Sequence, residues 1–331
     1  MHRFLTYWVA LFSFTHSAMG EKFSFERELM ATRFSIVCYT DDHAAAQKAA
    51  EAAFAIGEKM NAIASDYLPN SELNQLVSKT VDTPIPLNPL LYELLEYSRE
   101  ISETTQGAFD PTLGPLTKLW RETRLHKRLP DLEKLKIARE SVGWKHFTLD
   151  QKNQSITLFK KNMAFDLGGI AKGYAADLML ESMIASGLPQ SMIVAGGDVR
   201  LGNPPSEREG WNVAVKTFDL EKRDEILTLS NCAVSTSGDL HQSVEIDGVK
   251  YSHILDPKTG LGLTKRIAAT VIADTAKLSD AIATASCVMG EGSAGDLKKI
   301  SGVREVKIRT LQDSTATPRF EKPKNGTTDE K

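Results

Sequence analysis

Cysteine is scarce in this chain. Cys38, Cys232 and Cys287 are the only three, far apart and set in apolar or small-residue runs. That count excludes a disulfide scaffold. It leaves buried free thiols, or one disulfide whose pair the sequence does not choose. No Cys/His spacing of a zinc site occurs. A strong charge excess is also missing. The net charge is −3 and there is no dense basic block, which excludes a general attraction to nucleic acid or anionic lipid. No apolar run reaches the length needed to span a bilayer. There is no internal repeat and no regular alternation of strand and helix, so a solenoid and a doubly wound parallel sheet are both excluded.

What is there is ordinary globular material. Apolar residues make up 41% and charged residues 25% of 331, enough for a sizeable core in one large domain or two smaller ones. Residues 1–20 differ. A short positive start at Met1-His2-Arg3 precedes a mostly apolar run over 4–14, and Ala18-Met19-Gly20 puts small residues before a cut at Glu21. This is the pattern of a signal peptide, so export to the periplasm is expected. No cysteine lies near the cut, so no lipid-anchored cysteine is expected. The expected domain covers 21–311. From Gln312 the sequence is polar and rich in Thr, Lys and Pro, which predicts a disordered tail over 312–331.

Periodicity and punctuation predict an α+β fold. Residues 23–39 read as an opening strand or hairpin with Met30-Ala31-Thr32 in its middle. Helices are predicted over 43–64, 89–105, 113–123, 131–141, from Ile170 onward, and over 275–289 with Asp274 as cap and Gly290 as stop. Ser71 is a predicted N-cap. Strands are predicted over 147–149, 156–159, 191–195, 211–216, 226–229, 233–235, 267–273 and 303–308. Asp247-Gly248 marks a hairpin tip and Ser237-Gly238-Asp239 a turn.

Three places can carry chemistry. The first is Asp166-Leu-Gly-Gly-Ile-Ala-Lys-Gly-Tyr-Ala-Ala-Asp177, a strand end, a two-glycine turn and a helix start. Ile170, Ala171, Tyr174, Ala175 and Leu178 form one apolar stripe at about 100° per residue. Lys172 is off that stripe, in the first turn, where the helix dipole disfavours a cation unless an anion docks too. The same features also describe a plain strand–helix turn with a surface lysine. The second is Asp280 with Thr284, at i and i+4 on one helix face among small alanines. Carboxylate and hydroxyl suit a hard cation such as Mg2+; equally, the dipole favours the Asp and the Thr bonds back to its own turn. The third is His253, at a strand end before Asp256-Pro257, a base near neutral pH or a structural histidine.

Eight segments in order carry a resemblance. They are Met30-Ala-Thr32, residues 67–74, Gly107-Ala-Phe-Asp-Pro-Thr112, 166–177, Gly196-Gly-Asp198, Ser237-Gly-Asp239, 253–260, and Ser279-Asp-Ala-Ile-Ala-Thr284. Between about residues 30 and 302 the chain resembles the ApbE family of FAD:protein FMN transferases. The resemblance implies an ApbE-like, T-fold-like α+β domain with largely antiparallel sheets packed with helices. It implies FAD contacts at Met30, Tyr67, Ala108, Phe109, Asp110, Asp166, Lys172 and Ile254. It implies Mg2+ ligands at Asp280, Thr284 and the carbonyl of Gly169, and a hydroxyl-activating role for His253. Ala31 stands where the family usually has glycine.

The implied reaction moves FMN from FAD to a threonine hydroxyl of an acceptor protein as a phosphoester, releasing AMP. The implied partner is an exported or membrane flavoprotein carrying a Ser/Thr-Gly-Ala-Thr-like segment. The same site with water as acceptor would be an FAD pyrophosphatase, and without turnover an exported flavin-binding protein. The tail's Ser314-Thr-Ala-Thr317 differs from the acceptor segment at one position, which makes Thr317 a candidate for self-modification.

Overall fold

The structure is a computed structural model and describes residues 20–215, 224–238 and 243–311. The signal-peptide segment, Lys216, Asp239 and the tail with Thr317 lie outside the described residues.

β1 (Glu21–Leu29) and β2 (Thr32–Thr40) form the opening hairpin. Met30 and Ala31 make its tip, both left-handed at φ 50° and 58°. The paired positive φ values suit a two-residue turn matching the strand twist. α1 (His43–Ala64) follows, with Asp42 accepting from Ala45 N. α2 (Glu72–Gln75) is capped by Ser71, as its sequence predicts. β3 (Ile85–Pro86), α3 (Pro89–Thr104), α4 (Gly114–His126), α5 (Leu132–Glu140), β4 (Phe147–Asp150) and β5 (Ser155–Leu158) follow; α3, β4 and β5 give Leu91, Leu94, Phe147 and Ile156 to the main core, while α4 and α5 pack around Trp120 and Leu135. α6 (Ala171–Ala185) returns the chain to the main sheet. Then come β6 (Ser191–Ala195), β7 (Asp198–Leu201), β8 (Trp211–Val215), β9 (Glu225–Leu229), β10 (Cys232–Gly238), β11 (Ser243–Ile246), β12 (Val249–Ser252), β13 (Arg266–Ala273), α7 (Ala276–Met289), α8 (Ala294–Leu297) and β14 (Val303–Leu311).

Seven strands make one sheet in the order β1-β2-β6-β7-β10-β13-β14, antiparallel at every step. α1, α6 and α7 lie against it, and their apolar sides form the main core with Phe34, Ile36, Ile193 and Val271 of the sheet. The β8–β9 ribbon packs Trp211, Val213 and Val215 with Val37, Tyr39, Val234 and Ile272, which belong to the same sheet. The fold is the expected α+β arrangement of antiparallel sheets and helices.

Several local expectations change. α6 has no single apolar stripe: Gly173, Ala176, Asp177, Met179, Leu180 and Met183 are buried, while Leu178 of the predicted stripe is only partly so. The reason is its position between α1, α7 and the sheet. Asp274 does not cap α7. Its side chain pairs with Arg304 instead, and α7 takes no hydrogen bond from its own N-cap side chain. Ser237 and Gly238 end β10 rather than forming a turn, and Asp198 opens a strand that sequence patterning does not reveal. α4 runs past the predicted stop to His126, its Trp120 buried and donating to Ser252 O. The three cysteines are buried and none is in a disulfide.

Candidate active site

α6 and α7 run antiparallel, and their contacts step by four residues along each. Asp177 accepts from Ala276 N and Lys277 N at 2.8 and 2.9 Å. Gly173 N donates to Asp280 Oδ2 at 3.3 Å. A Cβ added at Gly169 would lie 2.9 Å from Thr284 Oγ1. Residues 169, 173 and 177 on one side thus meet 284, 280 and 276 on the other. Gly173 makes this approach feasible, since a Cβ there would sit 2.2 Å from the carbonyl oxygen of Ala276.

The ladder brings Lys172, Asp280, Thr284 and Gly169 together. Lys172 Nζ lies 3.2 Å from Asp280 Oδ2 and donates to Gly168 O at 2.9 Å. A residue given no role by sequence joins them: Asp198 Oδ2 is 3.3 Å from the same ammonium. The anions that explain Lys172's place on its helix are therefore two carboxylates of the chain itself. Burial opposes the lysine's charge, but Asp198 and Asp280 outweigh it and raise its pKa above the ordinary lysine value. Burial and the charge of Asp198 push Asp280 up to about 7, with Lys172 pulling the other way. Two buried carboxylates against one ammonium leave the cluster short of positive charge.

That donor set fits a hard cation. Among the described residues the buried Asp198 Oδ2 has the Lys172 ammonium at 3.3 Å and no other hydrogen-bond donor, and the Gly169 backbone lies so close to Thr284 that a Cβ there would come within 2.9 Å of Oγ1. Carboxylate, hydroxyl and backbone carbonyl are all oxygen donors, the kind Mg2+ takes.

The remaining predicted residues lie around this cluster. Asp166 Oδ1 accepts from Gly168 N, and Asp166 N donates to Pro111 O, each at 2.8 Å. The two-glycine loop so ties the cluster to the 108–112 segment. There Phe109 is in the core, Ala108 packs at its margin, and the Asp110 carboxylate accepts from Thr112 and Trp144 N. Burial raises the Asp110 pKa, with those bonds opposing. Tyr67 is two-thirds exposed under the Arg121 guanidinium, 3.9 Å from ring centre to carbon. Arg121 also pairs with Asp66, whose pKa is raised by burial and by the nearby charge of Asp166. Arg121 had no signal in the sequence beyond an ordinary helix position.

On the far side, Thr284 Oγ1 is 3.3 Å from Ser237 Oγ, and Cys287 Sγ donates to Ser237 O. Ile254 packs against Cys287, Ile267 and Ala269, which places His253 and Ile254 beside α7 about a turn beyond Thr284. Met30 is partly buried at its hairpin tip. Thr32 Oγ1, two residues on, would be 2.9 Å from a Cβ on Gly196 in the β6–β7 turn. The hairpin tips, the start of β7 and the end of β10 all share one end of the seven-stranded sheet.

Comparisons with known proteins agree with this architecture. The family model described as "ApbE family" matches residues 30–305. An FAD:protein FMN transferase of Haemophilus influenzae is 31% identical over 284 residues, 82% of each chain. One of Vibrio cholerae is 30% identical over 240 residues, 71% of each. The ApbE protein of Thermotoga maritima superposes with a TM-score of 0.78 at 28% identity, covering 88% of this chain and 94% of that one. The apo flavinyl transferase ApbE of Pseudomonas stutzeri gives 0.77 at 25% identity, covering 89% and 96%.

Proposed function

The chain belongs to the ApbE family, and on that premise we propose that it transfers FMN from FAD to a hydroxyl of another protein. The observation that carries this reading is the buried cluster of Lys172, Asp198, Asp280 and Thr284, joined by the two-glycine loop to Asp166. A pyrophosphate brings negative charge and needs positive charge held in place.

Asp280, Thr284 and the Gly169 carbonyl would hold Mg2+. Bound there, the ion offsets charge on the phosphate oxygens. Lys172 supplies a second positive charge and keeps the diphosphate oriented. An acceptor threonine oxygen forms a bond to the FMN phosphorus, and the bond from that phosphorus to the bridging oxygen breaks. AMP departs with that oxygen and its electron pair. His253 takes the proton of the incoming hydroxyl. Positioning and electrostatics supply most of the rate.

The start of the chain supports export to the periplasm, so the acceptor is an exported or membrane flavoprotein with a Ser/Thr-Gly-Ala-Thr-like segment. The chain's own Thr317 is a second candidate acceptor. β14 ends at Leu311 opposite Arg266, at the sheet end that holds the site.

One experiment tests the whole reading. FAD, Mg2+ and a threonine-bearing acceptor domain are mixed with the enzyme. Covalent flavin fluorescence on the acceptor is expected. AMP and FMN without labelling would make it a pyrophosphatase, and intact bound FAD a carrier. Intact mass of the enzyme alone, after FAD and Mg2+, tests Thr317. An FMN-sized gain that survives Thr317→Ala, or no gain, removes that residue.

A further inference from the structure

Lys172 holds one oxygen of Asp280, the carboxylate that would also serve as a metal ligand. Its ammonium contacts Asp280 Oδ2 at 3.2 Å, and that oxygen also accepts from Gly173 N. Both carboxylate side chains are almost fully buried, at 3% exposed for Asp280 and 4% for Asp198, while Lys172 is 26% exposed. Two carboxylates and one ammonium sum to a net −1, so the lysine is the cluster's internal counter-ion. A divalent cation and an ammonium cannot both sit against one buried carboxylate without strong repulsion. The lysine stem has rotatable bonds enough to redirect its head group by a few ångströms. Asp198 gives it somewhere to remain. Among the described residues the ammonium is the partner of Asp198 Oδ2, which no other donor reaches.

We propose that Lys172 is a resident stand-in for the divalent cation. In the metal-free protein it neutralises Asp280. When the ion binds, Lys172 gives up Asp280 and stays on Asp198, facing the substrate phosphates. Asp198 is then a positioning residue: it acts through Lys172, by keeping the displaced ammonium in the site. The inference rests on the Mg2+ reading above, and it explains why a lysine is built into a site that must also accept a cation.

The test uses Mn2+ as probe on the full chain without FAD, with free ion counted by electron paramagnetic resonance. Wild type, Lys172→Met, Asp198→Asn and the double variant are compared, with Asp280→Ala as the control that places the ion. Lys172→Met is expected to bind one Mn2+ at least tenfold more tightly than wild type. Asp198→Asn is expected to bind it at least fivefold more weakly, because the ammonium then clings to Asp280. In the double variant most of that fivefold loss disappears. Equal or weaker binding by Lys172→Met overturns the stand-in role and leaves the metal reading intact. Undiminished loss in the double variant overturns the role of Asp198. No Mn2+ bound by any of the four proteins overturns both the inference and the metal reading. Lys172→Gln, scored the same way, replaces Lys172→Met if the methionine variant does not fold.

Discussion

Replacing Asp177 by alanine tests whether α7 is held from the side by α6. α7 lacks a side-chain cap of its own, and its first N–H groups are received by Asp177. The same carboxylate accepts from Arg200 Nε at 2.7 Å. A hydrogen bond to a charged group contributes about 1.5–3 kcal/mol, but three sharing one carboxylate do not add in full. Breaking a buried ion pair by removing one partner costs about 3–5 kcal/mol when the other is orphaned. Arg200 is not orphaned. It is 19% exposed and keeps bonds to Leu201 O and Cys232 O. Burial also raises the Asp177 pKa, with the two backbone N–H groups opposing, so the donors do not fully offset the carboxylate's desolvation. Both facts pull the estimate down, to about 3 kcal/mol for Asp177→Ala. Asp177→Asn keeps an acceptor oxygen and should lose about 2 kcal/mol. Urea unfolding with both variants and wild type reads these differences directly. A loss under about 1 kcal/mol for the alanine variant would refute the clamp. Mn2+ binding should weaken in parallel, because Asp280 lies one turn further along the same helix.

Gly173→Ala should destabilise by about 3 kcal/mol or more, since the new methyl meets backbone rather than a side chain that could turn aside. A melting temperature within a degree of wild type would disprove the close approach. Ala31→Gly should stabilise by up to about 1 kcal/mol, because alanine is held at φ 58° where glycine is unstrained; a drop in the urea midpoint would contradict this. Asp280→Ala should abolish transfer while leaving a folded protein, with Lys172 paired to Asp198. Full activity in that variant would remove Asp280 from the mechanism.

Much of the fold is written locally. The helices 43–64 and 89–105 declare themselves by apolar spacing, and the structure ends them within a residue of expectation, with Asp42 and Asn88 accepting from Ala45 N and Leu90 N at their starts. Asp247-Gly248 specifies its hairpin by turn chemistry alone. What stays hidden depends on partners distant in sequence. Asp274 looks like the cap of α7, yet Asp177, nearly a hundred residues earlier, fills that role. Asp198 begins a four-residue strand too short for period-two alternation to show. Its meeting with Lys172 follows from sheet order, not from neighbouring residues. α6 reads as amphipathic only because pattern rules presume one wet face, and α1, α7 and the sheet leave it little.

The site itself was half visible, in a form easy to overlook. Gly169, Gly173 and Asp177 repeat at four, and so do Ala276, Asp280 and Thr284. Each set alone marks one side of one segment, α6 with the loop before it or α7. Only antiparallel packing turns them into a ladder whose rungs are a cap, a backbone-to-carboxylate bond and a glycine–hydroxyl contact. The small residues decide the separation of the helices, and that separation decides the chemistry. Ala276, Ala281, Ala283 and Ala285 are fully buried beside them, and Ser279 bonds Ser235 of β10 at 2.7 Å beneath. With α7 fixed at its start by Asp177 and to the sheet by Ser279, an ammonium and two carboxylates from three separate elements come within 3.3 Å. At that range, with little water between them, a displacement of about 1 Å changes each charge interaction substantially. The glycines of this segment are therefore as much a part of the charge arrangement as the charged residues they bring together.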